Sequence, residues 1–259
     1  MRRLVFVVGL FALVACRKDQ PPALKETPPP PAISQQKVQK GRRRFVIEKE
    51  GKTSISIPAP LETFKGETAM MSGAFDVNLG DLKDSTGEVD ADLEGLHTFT
   101  FGDKDKDDTQ TEHAHNWFEI GDDGPKSVKQ TDPQKFADYK LAHFYLDTVD
   151  EVSAKSLSDV AEASGVRVVT FKASGRLRVH GRDSKKTVSV QVTFSGPPDA
   201  PTELAFKTVD PVVASLSEHD VKPRDVSGKF LEGTLEAVGK KLDDKAQIQV
   251  EGRAKPEGK

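Results

Sequence analysis

The chain has 259 residues, with 38 Lys plus Arg set against 41 Asp plus Glu, a formal net charge of -3. A balance this close creates no global field of the kind that draws a protein to nucleic acid, which is set aside as a partner. The single cysteine excludes an internal disulfide.

Arg2 and Arg3 precede an apolar or small run over 4–13, which ends at Leu13-Val14-Ala15-Cys16. This is the layout of a secretory signal. The run is shorter than the roughly 20 residues a membrane-spanning helix needs. Leu13-Val14-Ala15-Cys16 resembles the bacterial lipobox. The resemblance implies that 1–15 is a cleaved signal peptide and that Cys16, acylated, anchors the mature chain in a membrane. Each methylene of the acyl groups that is buried adds about 0.8 kcal/mol. Arg17 follows where aspartate would retain a lipoprotein at the inner membrane. By that resemblance the protein is a lipid-anchored component of the cell envelope, in the outer membrane facing the periplasm.

Residues 16–41 carry Pro21, Pro22 and the proline run 28–31 with almost no large apolar side chain, so they predict an extended, polyproline-like tether. Gly41-Arg42-Arg43-Arg44 is a local basic cluster, either a solvated linker face or a contact for anionic head groups. The remainder, 42–259, has the size of one domain.

Strand signals dominate that domain. Phe45 and Ile47 alternate, as do Ile55 and Ile57, while Met71, Phe75 and Val77 keep one parity across Gly73. The same period recurs at Val89-Ala91-Leu93, Phe99-Phe101 and Phe144-Leu146. Later it appears at Val169 to Val179, Val188 to Phe194, Leu204-Phe206 and Ile248-Val250. Turn residues at Gly181-Arg182-Asp183-Ser184 and Gly196-Pro197-Pro198-Asp199 separate several of these runs. Many alternating strands with short turns predict a mainly β fold, an antiparallel barrel or sandwich. Two stretches have helical spacing. One begins at Thr109, which with Glu112 forms a capping box, and runs to about Ile120. The other holds Leu231, Leu235, Val238 and Leu242 on one stripe near the C-terminus.

No P-loop, dinucleotide fingerprint or G-x-S-x-G elbow is present, and nothing in the sequence points to catalysis or to a cofactor. The best metal candidate is the run Asp103, Asp105, Asp107, Asp108 with His113 and His115. On a helix the two imidazoles stand about 200° apart, so they cannot share an ion there, and the run lacks the glycine and closing glutamate of an EF-hand. A solvated loop leading into a helix is the expected outcome, with no metal; a metal-assisted hydrolase on this run is the enzyme-class alternative.

Gly73-Ala74-Phe75, then Gly87-Glu88-Val89-Asp90-Ala91-Asp92-Leu93, then His113-Ala114-His115-Asn116-Trp117-Phe118 resemble, in order and spacing, the YceI-like polyisoprenoid-binding family. Ala173-Ser174-Gly175-Arg176-Leu177-Arg178-Val179-His180-Gly181 and Lys185-Lys186-Thr187-Val188-Ser189-Val190 are similar to its downstream hairpin. The sequence departs from the pattern in its acidic stretch 102–108, its long 121–135 connection and its addition over 216–241. The resemblance implies an eight-stranded antiparallel, lipocalin-like barrel with a short helix near one mouth; the residues add the C-terminal helix.

The lining expected of such a barrel is Phe75, Val77, Val89, Phe99, Phe101, Phe144, Leu146, Phe171, Leu177, Val179, Val190 and Val192. Each serves equally well as plain core. Trp117 and Phe118 either cover the mouth or pack the helix on the barrel, and His115 either meets a head group or is structural. Function is then expected to be non-catalytic binding or carriage of an isoprenoid or other long-chain lipid. The alternative is a structural or interaction lipoprotein with a self-filled barrel. Oligomeric state is not legible.

Overall fold

A computed structural model describes residues 41–59, 62–122, 127–222 and 242–258. The signal, Cys16, almost the whole tether and the Leu231–Val238 stripe lie outside the described residues. Strands β1 (Arg42–Ile57), β2 (Phe64–Asn78), β3 (Thr86–Asp92) and β4 (His97–Thr98) come first. Helices α1 (Lys104–Trp117), α2 (Val128–Thr131) and α3 (Pro133–Tyr139) follow. Then come β5 (Leu141–Asp150), β6 (Val166–Val179), β7 (Arg182–Ser195), β8 (Glu203–Thr208), β9 (Val212–Ser215) and β10 (Lys245–Pro256).

The ladder runs β1-β10-β8-β7-β6-β5-β3-β2, and β2 pairs again with β1, so the antiparallel sheet closes through eight staves. This is the mainly β, eight-stranded closure that the alternation and the resemblance predict. Two staves are broken. A 3-10 turn at Leu93–Gly95, where the Asp92 carboxylate accepts from Glu94 N at 2.9 Å, separates β3 from β4. The other break lies between β8 and β9, which pair successively with the two halves of β10.

Period two survives along each strand because one face is buried. Where it slips, a bulge is responsible. The β5–β6 register shifts between Leu146 and Thr148, so the inward set passes from Leu146 to buried Val149. Gly73 has φ +123, and a Cβ there would stand 2.2 Å from Glu88 O, so only glycine holds β2 this close to β3. The β6–β7 turn is His180-Gly181, with φ 49 and 70, a two-residue primed turn. Arg182, Asp183 and Ser184, read from sequence as turn residues, already belong to β7.

Helix α1 begins five residues earlier than the capping-box reading. Asp103 caps it by accepting from Lys106 N at 3.2 Å, and Asp105 and Asp107 occupy the first turn, where the helix dipole favours carboxylates. Thr109 is interior to the helix, its hydroxyl donating to Asp105 O at 2.9 Å. The 121–135 connection contains α2 and the start of α3, whose cap Asp132 accepts from Lys135 N at 3.0 Å ahead of Pro133 at N1.

Helix α3 is pinned to the outside of the barrel by Arg178. That side chain is 2% exposed, gives Nε and Nη2 to the Asp138 carboxylate at 2.9 and 2.7 Å, and gives Nη1 to Asp183 at 3.1 Å. Two apolar clusters fill the ends of the barrel. One joins Phe64, Leu96, Trp117 and Tyr139 under the helices, and the other joins Phe45, Val77, Leu157 and Phe194 opposite.

Candidate functional site

Between the packed ends the barrel encloses a cavity of about 200 Å³. Its wall is built from the inward parity of the staves: Phe75 and Val77 on β2, Val89 on β3, Phe144 and Leu146 on β5. Phe171, Leu177 and Val179 on β6 and Val190 and Val192 on β7 continue it, and Trp117 and Phe118 at the end of α1 reach it as well. Trp117 also packs on Phe64, ring centroids 5.2 Å apart, so it both holds the helix and closes this end.

Ile55, Ile57, Phe206, Ile248 and Val250 line the same space. Their alternation is plain in the sequence, but nothing in one strand's period tells which stretch of a buried face borders empty space. The ring of Phe75 meets that of Phe206 at 5.1 Å, edge to face.

Glu88 and Lys207 also border the cavity, but they alternate with inward Val89 and Phe206 and so carry their charges outward. The polar side chains of inward parity on β1 and β8 are Thr53 and Thr208, and His219 reaches the wall from the chain after β9. Thr208 Oγ1 accepts from Val250 N at 3.1 Å. His219 is 2% exposed; its Nδ1–H donates to Arg182 O at 2.9 Å and its Nε2 accepts from the Ser184 hydroxyl at 3.0 Å. Burial lowers its pKa, so the ring is neutral. Next to it His180, also 2% exposed, gives Nδ1–H to His219 O at 3.2 Å and packs against Tyr139, ring centroids 3.9 Å apart and planes tilted by 48°. Burial pushes the His180 pKa down to about 4. No sequence signal marks these two imidazoles, because their neighbourhood forms only when the chain after β9 folds back on β7.

Three of the expected site residues lie elsewhere. Phe99 and Phe101 are each 43% exposed on the outside, because the sheet ends at Thr98. Phe99 N still donates to Lys65 O at 3.1 Å, but Thr98 N bonds to Thr111 Oγ1 at 2.9 Å and Phe101 N to Asp107 Oδ1 at 2.9 Å, so the helix takes two of the hydrogen bonds a longer strand would need. His115 is absent from the wall: its Nε2–H donates to Leu96 O at 3.1 Å and fastens α1 to the turn after β3. The acidic run is spent on the start of α1, with Lys104 and Asp108 paired along the helix, and His113 and His115 fall on different sides of it.

No family model matches the sequence, and no curated protein matches it. Solved structures do resemble it. A polyisoprenoid-binding domain from Saccharophagus degradans superposes with a TM-score of 0.51 at 10% identity, covering 83% of this chain and 99% of that one. Burkholderia cenocepacia BcnA gives 0.46 at 14% identity over 78% and 95%, and the Campylobacter jejuni YceI protein 0.44 at 12% over 75% and 85%. The likeness to the first is one of fold, and it agrees with the closed eight-stranded barrel that the sequence motifs led us to expect.

Proposed function

We propose that this protein is a non-catalytic lipid-binding protein of the cell envelope that holds an isoprenoid or similar apolar chain inside its barrel. The observation that carries this is the cavity itself, enclosed on all staves by aliphatic and aromatic side chains. Each methylene moved from water into such a space contributes about 0.8 kcal/mol. The fold is shared with a domain described as polyisoprenoid-binding, which supports the class of cargo. Cavities of about 150 Å³ hold a benzene ring, so the space as it stands accepts roughly one or two isoprene units, and a longer chain requires the Phe75–Phe206 pair to part.

In this reading Cys16 carries the acyl anchor and the proline-rich tether sets the barrel off from the outer membrane on its periplasmic side. The ten wall residues expected from sequence that line the cavity contact the cargo, with Trp117 and Phe118 capping it. Solvent extraction of the full-length protein purified from its own cell, followed by mass spectrometry, tests the cargo. A stoichiometric apolar lipid is expected, and its absence together with no uptake of any prenyl alcohol added afterwards would refute the reading. Labelling with radioactive palmitate, lost in Cys16→Ser, tests the anchor.

A further inference from the structure

The barrel wall has one stretch that is not a ladder. β7 pairs with β8 from Val190 to Ser195, and Val209 N still donates to Ser189 O at 2.8 Å. Beyond that point, among the described residues, no backbone pairing joins the first half of β7, 182–188, to β9, whose ladder is with β10. The cavity reaches this gap from inside, with Val188 on one flank and Val212 and Ala214 on the other.

Residues 216–221 lie across it as a strap. On the β10 side the strap is tied through the backbone and one carboxylate: Leu216 N to Asp244 O at 2.7 Å, and Ser217 N to Asp244 Oδ1 at 2.8 Å. A tight turn then brings His219 N and Val221 N back to Leu216 O at 3.2 and 2.9 Å. On the β7 side the strap is held by side-chain contacts. His219 bonds Arg182 O and Ser184, His180 bonds His219 O, Glu218 pairs with Lys186 at 3.2 Å, and Asp220 stands 3.9 Å from Arg182. Leu216, His219 and Val221 form the inner surface of the strap against the cavity.

We propose that the gap between β7 and β9 is a lateral portal to the cavity, and that 216–221 is its door, hinged at Asp244 and latched to β7 by His180 and His219, so that acid loosens it. Only the passage of lipid through the portal rests on the function proposed above.

The groups facing the latch come from every element around it. Toward His180 stand Glu119, at 3.9 Å after α1, Lys135 and Tyr139 of α3, and Asp220 of the strap. Toward His219 stand Lys186 and Ser184 of β7, Glu218 of the strap, and the backbone of Val179 and Arg182. Burial outweighs the nearby carboxylates at both rings. The open door gives both rings to water, where they take up protons more readily than when shut, so the open form gains as pH falls below the ordinary imidazole range.

Hydrogen–deuterium exchange on the full-length protein at about pH 7.5 and about pH 5, corrected for intrinsic rates, tests this. The wild type should show roughly tenfold more opening at the lower pH over 182–188 and 216–221, with 190–195 unchanged. A double variant His180→Gln, His219→Gln should respond equally at both pH values; equal exchange in the wild type, or an undiminished response in the variant, overturns the proposal. If the variant fails to fold, the wild-type comparison decides alone. Nile red uptake measured alongside should be faster at the lower pH. Nile red binding with flat exchange overturns the door and leaves the lipid site, whereas an exchange response with no dye uptake at either pH supports the door and counts against the lipid site.

Discussion

Phe75 on β2 and Phe206 on β8 meet across the barrel interior, ring centroids 5.1 Å apart and planes at 73°. The two strands are not neighbours in the ladder, since β1 and β10 lie between them, so the pair is a crossbar rather than a cross-strand contact. In the function proposed above, it limits the length of chain that fits. Phe206→Ala should cost about 3 to 5 kcal/mol of stability, as removal of buried aromatic rings does. It should also extend binding to longer prenyl alcohols. Urea denaturation measures the first and affinity against chain length the second; unchanged length preference would show that the crossbar does not set the capacity.

Arg178 is a cation sealed between α3 and the β6–β7 hairpin. Asp138→Ala leaves that charge buried with Asp183 among its remaining partners, and a loss of about 3 to 5 kcal/mol is expected. Arg178→Met with Asp138→Leu should restore much of it. The comparison of the two variants by chemical denaturation separates the cost of an uncompensated charge from the worth of the pair.

His180 gives the fold a dependence on pH whose sign follows from its environment. The folded pKa of about 4 lies below the ordinary 6.5, so the unfolded chain binds the proton more readily. The stability is therefore complete above pH 6.5 and is lost as pH falls toward 4, by up to about 3 kcal/mol. Denaturation midpoints measured across that window should fall in the wild type and fall less in His180→Gln.

Gly73→Ala should be disproportionately harmful for one methyl group. Its φ of +123 is closed to side chains, and the new Cβ would meet a backbone carbonyl rather than a side chain that can turn away. A loss of at least about 2 kcal/mol in thermal or urea unfolding is expected; a neutral result would mean that β2 and β3 pair differently.

What the sequence made legible was the part governed by period two. Val169, Phe171, Ala173, Leu177 and Val179 face inward as their spacing requires, and the closing strand with Ile248 and Val250 stands where its alternation puts it. Phe99 and Phe101 share that spacing but face out, because parity states which side chains share a face and not whether a strand exists to own it. Asp103 reads as loop acid until the helix it caps is seen. His219, Arg178 and the door depend on contacts between segments far apart in sequence, which no local pattern encodes.

The first strand described and the last are partners along almost their whole length, Phe45 opposite Pro256 and Ser56 opposite Gln247. The ring therefore stays open until β10 is available to pair, with β1 and β8 presenting raw hydrogen-bonding edges to any neighbour. A nonsense codon upstream of β10 would release a chain prone to aggregate instead of a smaller barrel, and a chaperone that shields β1 until β10 arrives would matter more here than for a fold built from local contacts.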